Sequence, residues 1–508
     1  MTLALIPTIT ALARAGAGVR AWALFREAGL ETNPDPAARA LHGRLLKDRA
    51  LALIGAARRE AAAAAAAAYA QAAAARPASY PLINAATLAL VAGDAAGAAA
   101  QARSVLARLD AGADDDTPYW QGATRAEALL LAGDADGAAA ALAAAIAHAP
   151  RAWEDHAVTI KQLTLICAEQ GSAAGWLDAL RPPAVLHFTG ALDLGGDESA
   201  LAADIDAHIA AHRIGSGIGA LAAGADILVA ERLLAAGADV HLVLPGSVEG
   251  FVAQSVAPWG AEARFHAVMD RASSLRLAGD DAAHAESIRL ADQIAMGMVV
   301  AQARQLASPA RQLVIGAGSQ ASASAAAWAA LGHGQQIIGS GLPPGPALPA
   351  SPDACRLATV LALALAPPAA TLADALALTG RSLPPPDPAL EIAPRQAHAE
   401  GWLLFLADPA AAAAMAGRLR AALAASGPLR LAVDHGLVVL APAGGAFGPV
   451  VQAAARLLGA VPDGGMLATD DFAAALAALP ACGASTQLAG EAPLHPGQPA
   501  TPVHGVQL

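Results

Sequence analysis

HRIGSGIGALAAGADILVAERLLAAGADVHLVLPG, residues 212–246, places a glycine-rich segment before a helix-length run and closes on a short apolar run ending in Leu-Pro-Gly. RPPAVLHFTG (181–190) precedes it as a Pro-bounded apolar run ending in Thr-Gly, and ARQLVIGAG (310–318) follows as a further strand candidate. Short strands alternating with helix-length segments predict a doubly wound α/β region.

Upstream, from residue 1 to about 180, the pattern is helical throughout. YPLINAATLALVAGDAAGAAA (80–100) aligns with WQGATRAEALLLAGDADGAAA (120–140), so that Gly93-Asp94 recurs forty residues later at Gly133-Asp134. A helix, a tight Gly-Asp turn and a second helix with small packing residues predict an all-α solenoid of helix pairs.

Downstream, IGSGLPPGPALPASP (338–352) is rich in Gly, Pro and Ser and reads as a linker. Beyond it come a Pro-rich insert (382–394), WLLFLADP, an alanine-rich helix and LRLAVDHGLVVLAP, an order that predicts an α+β layer fold. The expected domains are therefore 1–180, 181–342 and 353–508, in keeping with a chain of 508 residues at roughly 100 to 200 residues per domain.

Composition narrows the function classes. The hydrophobic fraction of 56% and mean hydropathy of +0.45 come largely from alanine, as in EAAAAAAAAYAQAAAA (60–75), which favours helix while burying little area. The strongest membrane candidate, LATVLALALAPPAATLA (357–373), carries Pro367 and Pro368 and falls short of the roughly 20 apolar residues of a spanning helix, so a buried strand and turn are expected. MTLALIPTITALARAG has no basic residue ahead of its apolar run, which predicts a first helix and a cytoplasmic protein. Cys167, Cys355 and Cys482 are widely spaced and predict core thiols rather than a disulfide or metal framework. A net charge of −12 without a basic run counts against nucleic-acid binding and leaves a small ligand as the expected nucleotide, if any.

YPLINAATL, YWQGATRAEALLLAGD and WLDALRPPAVLHFTG together resemble the tetratricopeptide sensor (TPR-S, or TRAFs-binding) domain of bacterial signalling proteins and apoptosis-signal-regulating kinases. The resemblance implies sensing of nucleotide-related ligands rather than catalysis. On a concave face the ligand candidates are Tyr80, Asn84, Tyr119, Trp120, Thr124 and Lys161, since aromatic faces stack on bases while Asn, Thr and Lys orient polar groups. Tyr80 and Trp120, at equivalent repeat positions, read equally as packing residues.

HFTG followed by the stretch at 212–246 resembles the SLOG superfamily of Rossmann-like nucleotide-binding domains. On that resemblance Gly217, Gly219 and Gly224 would let backbone amides approach a phosphate at a helix start, and Asp226 or Glu231 would accept from a ribose hydroxyl. Thr189 and Gly190 would border the same crevice. Where related proteins are expected to carry histidine after this glycine, the chain has Ala191, which counts against hydrolysis there.

AEGWLLFLADPAAAAAMAGRLRAAL (399–423), LRLAVDHG (429–436) and FGPVVQAAARLLGAVPDGGMLATDDF (447–472) look like a class III adenylate/guanylate cyclase domain, a ferredoxin-like α+β fold. That chemistry needs two metal-binding aspartates. No carboxylate occurs between Asp353 and Asp374, and the expected Gly-Asp-Gly reads Ala399-Glu400-Gly401. Gln452 stands at the asparagine position that orients the ribose, Arg456 matches the transition-state arginine, and Leu494-His495-Pro496 replaces Leu-Lys-Gly.

These substitutions predict a fold retained without catalysis, with no cofactor and no metal. The expected function is a signalling protein that senses a small nucleotide-derived ligand through its first two regions. Its cyclase-like region would be a regulator or scaffold, through which a homodimer or heterodimer forms. Three other readings stay open: a cyclase active only with a complete partner protomer, a nucleotide-processing enzyme at the SLOG-like region, or a plain protein-binding scaffold.

Overall fold

The computed structural model describes all residues except 1, 15–17, 114–115, 197, 280–281, 317–318, 340, 343–346, 366–379, 381–382, 399–400, 443 and 495–498. Backbone packing divides the chain into two compact units, Met1–Pro182 with Gln305–Ala307, and Pro183–Arg304 with Ser308–Leu508.

The first unit is helical: α1 (Ile6–Arg14), α2 (Gly18–Glu27), α3 (Pro36–Leu51), α4 (Gly55–Ala75), α5 (Ser79–Ala92), α6 (Ala95–Asp110), α7 (Pro118–Leu131), α8 (Ala135–His148) and α9 (Trp153–Gln170). The repeated turn is built from local chemistry. Gly93 and Gly133 follow their helices at φ +100° and +92°, a region costly for residues with a Cβ. Asp94 and Asp134 then cap α6 and α8 by accepting the Gly97 and Gly137 amides at 2.8 Å. A Cβ at Gly97 or Gly137 would sit 2.0 or 2.2 Å from the capping carboxylate, so this second glycine belongs to the turn as well. Ala86, Ala98, Ala126 and Ala138, all fully buried, let the helices pack closely around Leu130, Leu142 and Leu163.

The second unit holds two sheets. The first is parallel and built from β1 (Ala184–Gly190), α10 (Glu198–Ala211), β2 (Ile214–Gly219), α11 (Ala225–Ala235), β3 (Asp239–Leu244), α12 (Val248–Ser255), α13 (Glu262–Met269), β4 (Ser274–Leu277), α14 (Ala285–Leu306), β5 (Ala310–Ile315), α15 (Ser319–Ala330) and β6 (Gly334–Ile338). Its order is β4-β3-β2-β1-β5-β6, so the winding direction reverses between β1 and β5.

The second sheet contains β7 (Cys355–Leu365), β8 (Glu391–His398), β9 (Gly401–Leu406), α16 (Pro409–Leu423), β10 (Leu429–Leu440), β11 (Ala446–Phe447), α17 (Pro449–Ala460), β12 (Met466–Thr469), α18 (Asp470–Ala477), β13 (Ser485–Ala492) and β14 (Thr501–Gln507). Strand order is β13-β14-β12-β10-β7-β9-β8, with β11 on β10. From Val360 to Leu365 β7 is a continuous apolar run because both its faces are buried there. Leu361 and Leu363 face Met415, Leu419 and Phe472, while Ala358, Val360 and Ala362 face Val450, Ala454 and Leu457. No helix among the described residues is long and apolar enough to cross a membrane.

The two sheets share α14. A Cβ at Gly297, on that helix, would fall 1.8 Å from the Ala474 carbonyl of α18, so the backbones there touch without an intervening side chain.

Candidate functional site

A cavity of about 300 Å³ opens at the carboxyl ends of β1, β2 and β3. Open α/β sheets bind ligands at this end, beside the point where strand order reverses. The chain leaves β1 through Thr189 and Gly190 and leaves β3 through Pro245, and α14 closes the far side with Ile288, Ala291 and Asp292.

Asp226 enters the cavity from the first turn of α11. It is only 6% exposed, and its Oδ2 accepts the Ala222 amide at 3.2 Å. Oδ1 is buried without a well-placed hydrogen-bond donor. Burial pushes the carboxyl up to about 7, with Asp292 adding to the shift and the Ala222 and Gly190 amides opposing it.

Across the cavity His187 and Asp292 form a supported pair. His187 Nε2 lies 3.3 Å from Asp292 Oδ1. The Gln312 amide nitrogen donates to His187 Nδ1 and to Ser324 Oγ, each at 3.0 Å, and Gln335 donates to Gln312 Oε1 at 2.7 Å. This amide orientation leaves Nδ1 as acceptor and places the ring proton on Nε2, toward Asp292. Ser324 Oγ lies 3.2 Å from the same Asp292 oxygen, and Trp328 stacks on the imidazole at 5.9 Å between centroids.

Thr189, Gly190 and Asp226 are thus brought together at the cavity. Gly217 and Gly219 lie inside β2 instead of in a turn: a Cβ at Gly217 would strike Leu233 at 2.3 Å, and one at Gly219 the Phe188 carbonyl at 2.6 Å. Their size serves strand and helix packing. Gly224, at φ +76°, precedes α11, where a Cβ would meet the Leu192 and Ala191 carbonyls. Glu231 is held bidentately by Arg264 at 2.9 and 2.7 Å and is not among the cavity residues. His187, Asp292, Gln312 and Ser324 were not singled out from sequence, since separations of up to 137 positions leave no local spacing to read.

In the helical unit Asn84, Tyr119 and Thr124 are buried, Trp120 is half-buried, and Tyr80 is 42% exposed. Tyr119 hydroxyl bonds Thr159 Oγ1 at 2.8 Å and its ring meets Trp120 edge-on. Lys161 Nζ donates to the Gln305 carbonyl at 2.6 Å. Asn84 belongs to a network that crosses four helices: Lys47 Nζ donates to Asn84 Oδ1 at 2.9 Å and to Gln162 Oε1 at 2.7 Å, while Gln162 and Thr87 both donate to Glu127 Oε1 at 2.7 and 2.6 Å. Burial lowers the Lys47 pKa and raises that of Glu127, each against the attraction of the other.

The second sheet carries a smaller recess lined by Asp434, His435, Gly436 and Asp471, with Gly279 and Leu290 from the first sheet's side. Asp434 accepts from Thr469 Oγ1 and from the His435 amide. Burial drives its pKa well above the usual carboxylate range and Asp471 adds to this, against Thr469, the His435 amide and Arg276. His435 is held at about 3 by burial and Arg289; its Nδ1 lies 2.8 Å from Thr359 Oγ1 and its Nε2 3.2 Å from Gln293 Oε1 of α14.

The two metal ions implied by the cyclase resemblance do not fit this donor set. β7 offers Cys, Arg, Leu, Ala, Thr and Val but no carboxylate. Glu400 and Ala399 lie outside the described residues. Gly401 is fixed by packing, because a Cβ there would fall 1.8 Å from the Leu363 carbonyl. Gln452 and Arg456 are exposed on α17, and Arg456 Nη1 donates to the Leu494 carbonyl at 2.7 Å. Among the described residues no three His, Cys, Asp or Glu side chains gather as a metal site.

Residues 8–89 match the Tetratricopeptide Repeats-Sensor family. The match ends within α5, before either copy of the Gly-Asp turn. No curated protein matches this chain. Among solved structures, the adenylyl cyclase CyaB from P. aeruginosa is 13% identical, with 30% of this chain and 95% of that chain covered at a TM-score of 0.23. The guanylyl cyclase Cya2 is 13% identical over 30% of this chain and 92% of that one, at a TM-score of 0.21. Neither likeness reaches the level at which chemistry transfers.

Proposed function

We propose that the chain is a signalling protein whose parallel-sheet region, SLOG-like and spanning about 181–342, senses a small nucleotide-derived ligand in the cavity around Asp226. The TPR-S-matching helices supply a protein-interacting or sensing module, and the cyclase-like region (about 353–508) acts as a non-catalytic regulator or scaffold. The observation that carries this reading is the position of the cavity at the carboxyl ends of the strands, beside the β1/β5 reversal, with a buried carboxylate oxygen of Asp226 awaiting a donor.

The test is isothermal titration of the full chain with a panel of nucleosides and nucleotides. Saturable heat from one member, abolished by Ala222→Trp at the half-buried cavity wall, is expected. Flat titrations across the panel with a folded chain would remove the sensing role.

A further inference from the structure

The cavity's charge runs against a phosphate. Its polar lining consists of two carboxylates, Asp226 and Asp292, with His187, Thr189, Ser255 and Gln254, and no lysine or arginine among the described residues. Of the residues outside the description, Arg381 is the sole lysine or arginine. A phosphate-binding site normally opposes the anion with Arg, Lys or free helix amides.

Several amides at the start of α11 are already engaged. At the start of α11 the Ala225 amide donates to the Ala191 carbonyl at 2.9 Å, the Ile227 amide reaches the Ala222 carbonyl at 3.3 Å, and the Ala222 amide just ahead serves Asp226. The first turn itself bears Asp226, so the partial positive charge of the helix start is already met by a carboxylate. Gly217 and Gly219, buried within β2, expose no cradle that an anion could enter.

What Asp226 lacks is a well-aligned donor. Its Oδ1 is buried with no partner at hydrogen-bond geometry, the nearby Gly190 amide only opposing the rise in its pKa, and a buried acceptor left so is costly until an N–H or O–H arrives. Size points the same way, since about 300 Å³ lies at the low end of the roughly 300–1,000 Å³ of small-molecule sites.

We infer that the cavity takes a phosphate-free, amino-bearing heterocycle, a nucleobase or its nucleoside, whose N–H groups donate to Asp226, and that it discriminates against the corresponding 5′-phosphate. This rests on the reading of the cavity as the ligand site and names the class of ligand it selects.

The experiment titrates the full chain with adenine, adenosine, cytidine and guanosine, their 5′-monophosphates, and inorganic phosphate. At least one base or nucleoside binds tenfold or more tightly than its monophosphate, inorganic phosphate does not compete, and Asp226→Asn weakens binding at least tenfold. Leu348→Arg, a substitution at a 37% exposed rim position that leaves the core untouched, narrows the preference by bringing a guanidinium to the mouth. A monophosphate that binds more tightly than its nucleoside, or competition by inorganic phosphate, overturns the inference while leaving the ligand site in place. Failure of every compound to bind the folded chain overturns both readings.

Discussion

Arg276 Nη1 lies 2.7 Å from Asp470 Oδ2, an ion pair that ties the edge strand β4 of the parallel sheet to the first turn of α18 on the second sheet. The same guanidinium reaches Asp471 through Nη2, and His504 Nε2 approaches Asp470 at 2.9 Å. Burial raises the Asp470 pKa, yet His504 and Arg276 together hold it at about 2.

Arg276→Met is therefore expected to destabilise the chain by about 1–2 kcal/mol at neutral pH, between the cost of losing an exposed ion pair and that of breaking a buried one. Asp434, Asp470 and Asp471 would then face one another without the cation that opposes them. Urea denaturation at several pH values measures it. The penalty should shrink below about pH 4 as carboxylates protonate; an unchanged penalty there would mean that lost packing dominates.

Asp226 sets a pH dependence whose sign is fixed. Its folded pKa of about 7 stands above the unfolded value of about 3.9, so between these limits the native state holds a proton that the unfolded state has released. The contribution of this group to stability is greatest below about pH 4 and is lost as pH rises to about 7. Asp226→Asn removes that loss. The stability of the variant relative to the parent should climb across the window, at most about 1.4 kcal/mol per pKa unit, and level off above it. Thermal melts of both proteins from pH 4 to 8 check this, and a pH-independent difference would refute it.

The Lys47–Glu127 network predicts non-additivity. Lys47→Met leaves Glu127 buried without its cation and should cost about 3–5 kcal/mol. Adding Glu127→Gln should restore part of the loss, because a neutral amide needs no counter-charge. A double mutant as unstable as the sum of the single mutants would show that the two groups act independently.

Gly401 and Gly417 offer a matched pair. Ala at Gly401 meets the Leu363 carbonyl, whereas Ala at Gly417, exposed in α16, meets nothing within 4 Å. Gly417→Ala should stabilise by about 0.5–1 kcal/mol through helix propensity, and Gly401→Ala should lower the melting temperature sharply.

Gln452→Asn restores one side chain of cyclase type on the exposed face of α17 but leaves β7 without a carboxylate. Neither this variant nor the parent should form cyclic nucleotide from ATP or GTP with Mg²⁺ or Mn²⁺. Product formed by the purified parent chain would contradict the non-catalytic reading.

What the sequence revealed was the part whose physics is local. The Gly93-Asp94 and Gly133-Asp134 turns could be read because positive φ and N-capping each require particular residues within a few positions. Asp226 stands out only through the resemblance of its Gly-Ala-Asp segment to a nucleotide-binding pattern, since carboxylates are common in first turns, as in α9, α10, α13 and α18. The 357–365 run was legible as a buried strand, its alternating Leu and Ala now matched to two different covering layers. Hidden from sequence were interactions at long range: His187 with Asp292, Lys47 with Gln162, and α14 shared between sheets. Gly217 and Gly219 show the limit of composition, since a glycine that makes room for Phe188 or Leu233 spells the same as one that makes room for a phosphate.

The contact at Gly297 gives α14 a further meaning. One side of this helix walls the cavity through Ile288, Ala291 and Asp292, and another bears on the second sheet through Gln293 and Gly297. With bare backbone against the Ala474 carbonyl, the joint has no side chain to absorb a shift, so a displacement of α14 at this point would be passed directly to α18. A spectroscopic label on α18 is the place to look for changes made beside Asp292.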